Sequence, residues 1–547
     1  MHTECKRAVL LLLSIPCVFR LTLCSVFCLN NTYCRFLWVD YQLRELCKLS
    51  FESDIRARLG KLPKNLSGVY DEIMSSIESR PGTDFEFATR ALKWMLVART
   101  PLKPEELVAA TQIDPSTSPG CTLLEPSLDV ERVVHVCGGL IILDHELQVM
   151  RFAHLSGQEY LETRNGSWGI IDAQRFVSEG CLWTLQREPS LQTGPYSYAY
   201  DNWFRHCRSY QDIALSHNSQ DPNHALDIPL LNTFLGSFDS PSMHFTKWVT
   251  QTSAGFLDGD IPLFLLVQSR PLRPAFAAAV CGLGELISWL WHSEGADMNI
   301  KNNQDYSLLY LASRYGTPWI MSCMIARGPH LDINEVCNSG TVPSGTALSG
   351  AVRSGILEKA ALLLDEGADI NLTSSGDYGT ALGAAAASGN IEMATLLLSR
   401  GADINLIPRG RYGTALCVAT YYGKREMATL LLDRGADINL TSSGVFGTAI
   451  GTAAFWGNLG VAKLLLDRGA DINLISGGEY GTALCVASYW ARKEMATLLL
   501  DRGANINQTF DGAYGTALAA AAVSPHGGLE IARLLLDRGA NPNLTLT

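Results

Sequence analysis

Positively charged residues are in the minority in this sequence. Its 547 residues include 43 Lys and Arg against 54 Asp and Glu, which gives a net charge of −11 at pH 7. Because a nucleic-acid partner needs a basic face, this balance argues against nucleic acid. Cysteine is also scarce, at 15 residues. That number excludes a disulfide-dense scaffold and favours a reducing, cytoplasmic location.

Two catalytic motifs are absent as well. The string G-x-x-x-x-G-K-[ST], whose backbone cradles nucleotide phosphates, does not occur, and neither does the G-x-S-x-G turn of serine hydrolases. The cysteines near the N-terminus lack the spacing of zinc ligands. We therefore expect no catalytic residue, no cofactor-binding residue and no metal site, and we predict that the chain is not an enzyme.

Two short strings imitate catalytic sites. The run GLIILDHE at Gly139 resembles the acidic strand end of nucleotide hydrolases. Without a phosphate loop, we predict a β-hairpin with Asp144 in its turn. His154, Ser156 and Glu159 stand close together in the sequence. We interpret Ser156 as a helix N-cap and Glu159 as its capping-box partner, and not as parts of a catalytic triad.

The composition is that of a folded chain with one unusual segment. Hydrophobic residues make up 47% and charged residues 18%, which is typical of a folded globular chain. The length of 547 residues predicts two to four domains. Residues 8–29 are almost wholly apolar and follow Lys6 and Arg7, a pattern typical of a signal peptide or membrane anchor. Pro16 and Arg20 interrupt the run. The alternative interpretation of residues 1–35 is a truncated or mispredicted gene start.

The second half of the sequence repeats itself. The string G-A-D-I-N or a close variant recurs every 34 residues, at Gly367, Gly401, Gly435, Gly469 and Gly503. Between these copies stands [YF]-G-T-A-[LI], at Tyr378, Tyr412, Phe446, Tyr480 and Tyr514. Both strings and their period resemble the ankyrin repeat. The resemblance covers residues 271–547 as about eight repeats, and it implies a helical solenoid in which neighbouring repeats bury one another.

A single repeat predicts two short helices. From Thr380, a run of small residues should form a first helix that ends at Gly389, a position suited to left-handed backbone. The second helix should cover Ile391 to Arg400 and pack through residues 396–398. Ala491 stands where other repeats carry glycine. If it keeps the left-handed conformation, we expect a cost of about 1 kcal/mol.

Residues 83–165 have the pattern of a winged helix. Pro104 should open its second helix and Asp129 should cap its third. A β-hairpin should then follow, with strands at 140–143 and 148–152. The preceding and following segments read as helical.

Strings in this half resemble fungal NACHT–ankyrin proteins of the NLR-like type. They include FLWV at Phe36, LPKNLSGVYDEI and VMRFAHLSGQEYL. In that family a NACHT ATPase precedes a winged-helix domain of the GPI inositol-deacylase type, a helical spacer and ankyrin repeats. The resemblance implies that residues 36–82 are a helical remnant after a missing NACHT domain. It further implies that 83–165 are the winged helix and 166–270 the spacer.

Aromatic pairs occupy one position in three successive repeats. They precede the end of the first helix, as Tyr421-Tyr422, Phe455-Trp456 and Tyr489-Trp490, whereas the two repeats before them carry Arg353-Ser354 and Ala387-Ser388. Stacked repeats should align these rings into one partner-binding patch, because clustered exposed aromatics are favoured interface anchors. The alternative is that the rings pack only on one another or on the hairpins.

Charged residues at the hairpin tips should form a rim to that patch. They are Arg409, Arg411 and Glu479. We therefore predict a mostly α protein, with a winged helix and helical spacer followed by an ankyrin-repeat solenoid. Its function would be non-catalytic binding of protein partners, as the sensor or scaffold arm of an NLR-like signalling protein. The alternatives are part of an active NACHT ATPase, or an ankyrin protein anchored in a membrane through residues 8–29.

Overall fold

The computed structural model describes most of the chain from residue 66 onward. The described residues are 66–115, 128–164, 166–186, 195–216, 228–237, 240–252, 273–283, 297–327, 330–337, 345–376, 378–408, 412–442, 447–475, 481–512 and 514–544. The apolar segment at 8–29 and the strings before residue 66 lie outside them. The chain divides into two compact units, Met1–Phe234 and Leu235–Thr547.

The first unit is helical with one β-hairpin. Its helices and strands are Leu66–Glu78, Gly82–Val97, Pro104–Thr111, Val130–Val136, the strands Ile141–Asp144 and Val149–Phe152, Leu155–Glu162, the 3-10 turn Gly166–Trp168, Ile170–Leu185, Pro195–Ser216 and Ile228–Leu235, whose last residue begins the second unit. The predicted helix starts are confirmed. Pro104 is the first residue of its helix, and the Asp129 side chain accepts a hydrogen bond from the backbone N–H of Arg132.

The β-hairpin lies where the sequence predicted it. Ile141 pairs with Phe152 and Asp144 with Val149, in antiparallel register. The Asp144 carboxylate accepts hydrogen bonds from the backbone N–H groups of Glu146 and Leu147, at 3.1 and 3.2 Å. These bonds close the turn and, with Arg151, lower the pKa of Asp144. The carboxylate is therefore explained by turn geometry.

The capping-box prediction at Ser156 is wrong. His154 is the N-cap of the Leu155–Glu162 helix, and its side chain accepts a hydrogen bond from the backbone N–H of Ser156. The Ser156 hydroxyl instead lies 2.6 Å from His154 Nδ1 and 2.7 Å from the Tyr70 hydroxyl. The helix starts two residues earlier than expected because the imidazole takes the capping role.

The second unit consists mainly of repeated helix pairs. Helices Met243–Thr252 and Pro274–Cys281 come first. The first helices of the described pairs are Leu308–Tyr315, Ala347–Ser354, Ala381–Ser388, Ala415–Tyr421, Ala449–Trp456, Ala483–Tyr489 and Ala517–Ala522. Their second helices are Pro318–Arg327, Leu357–Asp365, Ile391–Ser399, Arg425–Asp433, Leu459–Asp467, Lys493–Asp501 and Leu529–Asp537. Short strands Val336–Cys337 and Gly345–Thr346 pair antiparallel.

Each regular repeat starts and stops its first helix in the same way. A threonine caps the helix by accepting a hydrogen bond from the N–H three residues on, as Thr380 does from Gly383. The helix ends at a left-handed residue, Gly389 with φ 75°. Ala491 has φ 53° at the equivalent position, so it keeps the left-handed conformation and the expected cost of about 1 kcal/mol applies.

The buried face of the second helices differs from the one that the sequence predicted. Met393, Ala394 and Leu397 are buried in the Ile391–Ser399 helix, whereas Leu396 and Leu398 are only half-buried. The predicted packing ridge of three consecutive leucines is therefore wrong, because consecutive positions point around the helix. The spacing 393, 394, 397 marks the face that contacts the first helix.

Two ladders connect successive repeats. In the hairpins, an asparagine side chain accepts a hydrogen bond from a backbone N–H of the next repeat, as Asn371 does from Asp403 at 2.8 Å. The same bond joins Asn405 to Asp437, Asn439 to Asp471, Asn473 to Asn505 and Asn507 to Asn541. On the second helices, ion pairs join Arg400 to Asp365, Arg468 to Asp433, Arg502 to Asp467 and Arg538 to Asp501.

Candidate protein-binding surface

The aromatic pairs lie at the carboxyl ends of three adjacent first helices. We call them the aromatic surface; its members are Tyr421, Tyr422, Phe455, Trp456, Tyr489 and Trp490. Their position follows from the local sequence, because each pair stands directly before the left-handed residue that ends the helical turn. The residues one step earlier are buried, Thr420 and Ser488 at 0% exposure, so the chain leaves the core at the aromatic pair.

The structure brings the three pairs into one continuous contact. Between repeats, the Tyr421 and Trp456 ring centroids lie 5.1 Å apart, and those of Phe455 and Trp490 lie 4.6 Å apart. Both contacts are edge-to-face, with interplanar angles of 84° and 80°. Within each pair the centroids are 4.9 to 5.5 Å apart. Edge-to-face contacts are favourable for aromatic quadrupoles, so the rings hold one another in place.

Rings from neighbouring segments extend the surface at both ends. Tyr412 lies 4.1 Å from Tyr421, and Tyr378 lies 6.0 Å from Tyr422. At the other end, Tyr514 contacts Tyr489 and His526 stacks on Trp490 at 4.6 Å. Packing on the hairpins, here through Tyr378 and Tyr412, was the alternative stated from the sequence, whereas the contribution of Tyr514 and His526 was not predicted. Tyr480 lies outside the described residues.

The rings are packed together and still reach solvent. Trp456 is 42% exposed and Tyr422 is 39% exposed, and the other four rings are half-buried. The rings therefore pack on one another and on hairpin tyrosines while one side of the cluster stays uncovered, and partner binding there stays a prediction. The hydroxyls of Tyr422 and Tyr378 lie 3.4 Å apart. Partial burial and this contact raise the pKa of Tyr422, so its phenol stays neutral at physiological pH.

The predicted charged rim is not described by the structure. Arg409, Arg411 and Glu479 all lie outside the described residues, and their role stays a prediction. The structure shows other cations beside the aromatic surface. Arg492 Nε donates a hydrogen bond to the Phe455 carbonyl at 2.9 Å, and the Arg353 guanidinium lies over the Tyr378 ring at 5.4 Å.

Two kinds of reactive group are relevant among the described residues, metal-ligating clusters and free thiols. Among them, no group of three or more His, Cys, Asp or Glu side chains is arranged to hold a metal ion. Burial raises the pKa of the Cys485 thiol to about 11, and burial likewise raises the pKa of Cys137. Such thiols stay protonated and act as small core side chains.

Comparison with known proteins agrees with the repeat architecture. The family described as "Ankyrin repeats (3 copies)" matches residues 275–374, 348–442, 384–476 and 449–545. Residues 275–545 are therefore an ankyrin-repeat region, a helical solenoid. Ankyrin repeats are protein–protein interaction modules, so this half of the chain has a partner-binding architecture.

Two similar proteins can be named. The human ASB11 ankyrin repeat domain is 26% identical in sequence; the match covers 43% of this chain and 100% of that domain, with a TM-score of 0.34. "Azaphilone pigments biosynthesis cluster protein L" of Monascus ruber is 26% identical over 327 residues, 57% of this chain. The match spans 61% of that protein's length.

The membrane-anchor alternative concerns residues that the structure does not describe. Within the described part of the chain, no helix has both the length and the apolar character needed to cross a bilayer. The apolar run at 8–29 lies outside that part.

Proposed function

We propose that this protein binds protein partners through the aromatic surface of its ankyrin repeats. The observation that carries the proposal is the continuous row of edge-to-face rings that remains partly exposed at Trp456 and Tyr422. The equivalent positions in the flanking repeats hold no aromatic residue, with Ala387-Ser388 before the surface and Val523-Ser524 after it. The row is thus a local feature and not a requirement of the stack.

The arrangement suits an interface anchor. Aromatic side chains bury a large area on binding, and interface hot spots are enriched in Trp and Tyr. Because the rings already contact one another, a partner would immobilise little additional side-chain freedom. Trp456 is the central member, with Tyr421 on one side and Phe455 and Trp490 on the other.

We also propose that the first unit is the winged-helix regulatory part of an NLR-like signalling protein located in the cytoplasm. The order of three helices followed by a β-hairpin supports a winged helix at 83–165, and the sequence strings support the family. The relative from Monascus ruber bears the name of a pigment-biosynthesis cluster protein. A role of this chain alongside a biosynthetic gene cluster does not conflict with this proposal. We assign no catalytic step to the chain, which has neither a phosphate loop nor a nucleophile elbow.

Substitution of Trp456 by alanine tests the binding proposal. The variant should keep its melting temperature, because the ring is 42% exposed. It should lose partners, identified by quantitative affinity purification, with affinity lowered by about 2 kcal/mol or roughly thirtyfold. Leu536→Ala is the matched control, since Leu536 is 48% exposed on a second helix of the same unit. A sharply lowered melting temperature would assign Trp456 to the core, and full retention of partners would move binding elsewhere.

A further inference from the structure

The repeats alternate in the segment that follows the aromatic surface. The string T-A-L-C-V-A begins at Thr414 and again at Thr482, two repeats apart. Both copies carry a pair of cations where the second helix begins, Lys424-Arg425 and Arg492-Lys493. The repeat between them has Asn458-Leu459 at that position. Cations therefore stand in the repeats on either side of the one that carries Trp456.

Lys424 and Arg492 are the leading cations, that is, the first of each pair. Their side chains extend towards the preceding repeat. Lys424 Cδ lies 3.0 Å from where a Cβ on Gly389 would stand, and Arg492 Cδ lies 3.4 Å from the same point on Gly457. Gly457 directly follows Trp456, and Arg492 also bonds the Phe455 carbonyl. The Arg492 guanidinium is therefore held beside the aromatic surface, while Lys424 takes the corresponding place two repeats earlier.

These cations form a local excess of positive charge in an acidic chain. Among the described residues, Lys493 pairs with Glu530 at 2.9 Å, and no ion pair is recorded for Lys424, Arg425 or Arg492. The nearby carboxylates of Glu426 and Glu494 lie in the first turns of the second helices, where the helix dipole stabilises them. Lys424 and Arg425 with Glu426 therefore keep one net positive charge. At the second cluster Glu494 and Glu530 balance the two cations. The side chains left without an ion pair among the described residues there and at the first cluster include the two leading cations, Arg492 and Lys424.

We infer that the aromatic surface takes an extended acidic peptide segment, with a carboxylate at each cation cluster and an apolar side chain on Trp456 between them. This inference rests on the proposed function. Neighbouring packed helices lie about 8–10 Å apart, so two repeats span about 16–20 Å. An extended chain rises about 3.3 Å per residue, so its two acidic residues should stand about five or six positions apart.

A single-stranded nucleic acid would also combine negative charge with stacking. The structure favours a peptide, because the rings contact one another edge-to-face and leave few open faces for bases to stack on. Glu426 and Glu494 would also repel a continuous row of phosphates, whereas two separated carboxylates can avoid them. Nucleic acid is therefore an alternative outcome of the experiment.

Fluorescence polarisation with the full chain tests the inference. The probes are fluorescein-labelled Gly/Ser peptides with a central Leu and two Asp residues either five or three positions apart, matching Asn peptides, and labelled decathymidine. The five-spaced Asp peptide should bind at least tenfold more tightly than its Asn version and than the three-spaced peptide. Its affinity should fall as NaCl rises, since charge pairs at a surface are screened.

Protein variants separate the two parts of the proposal. Lys424→Glu with Arg492→Glu should lower the affinity for the Asp peptide at least tenfold, and the milder Lys424→Gln with Arg492→Gln keeps the side-chain stems if the first pair unfolds. Lys463→Glu with Arg434→Glu is the matched control, because Lys463 is exposed on a second helix and Arg434 is exposed at the carboxyl end of another. This control should change affinity less than twofold.

The outcomes are distinct. Equal binding of Asp and Asn peptides that still requires Trp456 would overturn the acidic preference and leave the proposed function standing. Failure of every peptide at 1 mM, or stronger binding of decathymidine through the same residues, would overturn the inference. The proposed function itself fails if Trp456→Ala keeps its protein partners, or if this variant unfolds and so assigns Trp456 to the core.

Discussion

The cores of the two units consist of different kinds of side chain. The first unit buries single large side chains, among them Trp94, Trp183 and Trp203 at 0 to 1% exposure. It also buries a polar network found once in the described residues, in which His206 lies between Gln174 and Tyr198. The repeat region instead buries alanines and leucines at recurring positions, and its polar contacts recur from repeat to repeat.

This difference determines where a substitution is costly. In the first unit, each of these large side chains makes its own set of core contacts, as Trp94 does with Tyr198. In the repeats, a lost ladder bond leaves several equivalent bonds in place, since stability is nearly a sum over repeats and their interfaces.

Truncation of a tryptophan to alanine should give the largest difference in stability between the two units. Trp94 is fully buried and meets Tyr198 edge-to-face at 5.6 Å. Trp94→Ala should lower the free energy of unfolding by about 3–5 kcal/mol, because it leaves a large cavity. Trp456→Ala should cost under about 1 kcal/mol, as an exposed position. Urea unfolding followed by hydrogen exchange in each unit measures both, and equal costs would contradict the contrast.

Acid should weaken the first unit through His206. Burial, with a smaller effect of Arg99, lowers the pKa of His206 to about 3. The unfolded imidazole titrates near 6.5, so the unfolded state binds the extra proton between these values, and stability falls as the pH drops from about 6.5 towards 3. Protonation would also place a hydrogen on Nδ1, which faces the Gln174 amide nitrogen at 2.5 Å.

The loss between pH 7 and pH 4 should be on the order of 3 kcal/mol. Thermal unfolding at a series of pH values measures it for the first unit. His206→Gln is the control, because it removes the titrating group; its stability should depend less on pH in this range. An equally steep dependence in the variant would show that other groups cause the acid sensitivity.

Within the repeats, exchange of alanine and glycine at the left-handed position should change the free energy of unfolding in opposite directions at Ala491 and at Gly457. Ala491→Gly should raise the free energy of unfolding by about 1 kcal/mol, since left-handed backbone disfavours a Cβ. Gly457→Ala should lower it by a similar amount, because Gly457 has φ 73°. Denaturation with urea measures this matched pair. A stabilised Gly457→Ala would contradict the argument.

The smallest effect should come from the ion-pair ladder. Arg434 faces the Ser399 position where other repeats supply aspartate, as Arg468 has Asp433. Ser399→Asp should add about 0.3 kcal/mol at low salt, because exposed ion pairs contribute little. Asp433→Ser should remove a similar amount. Thermal unfolding at low and high NaCl checks both, and a gain that persists in high salt would point to another cause.

Prediction from the sequence succeeded where the interactions are local. The Asp129 cap, the start at Pro104 and the hairpin around Asp144 all depend on hydrogen bonds or backbone angles within a few residues. The capping box at Ser156 failed because a competing local cap, His154, was stronger there. The leucine ridge failed because burial depends on which face meets the first helix.

The candidate surface was only partly predictable. The recurrence of aromatic pairs at one repeat position was visible, and it placed the six rings on one side of the stack. The ring contacts of Tyr514 and His526 were not predicted, since both belong to the longer last repeat. The hairpin-tip residues Arg409, Arg411 and Glu479 stay predictions.

The sequence by itself determined that residues 275–545 form a stack of short helix pairs, because caps, left-handed glycines and hairpin asparagines act over a few positions and recur every 34 residues. Only the tertiary structure decided that Tyr421 meets Trp456, that Phe455 meets Trp490, and that Arg492 lies beside them. Those contacts join residues about one repeat apart, and their distances depend on how adjacent helices pack and turn relative to one another.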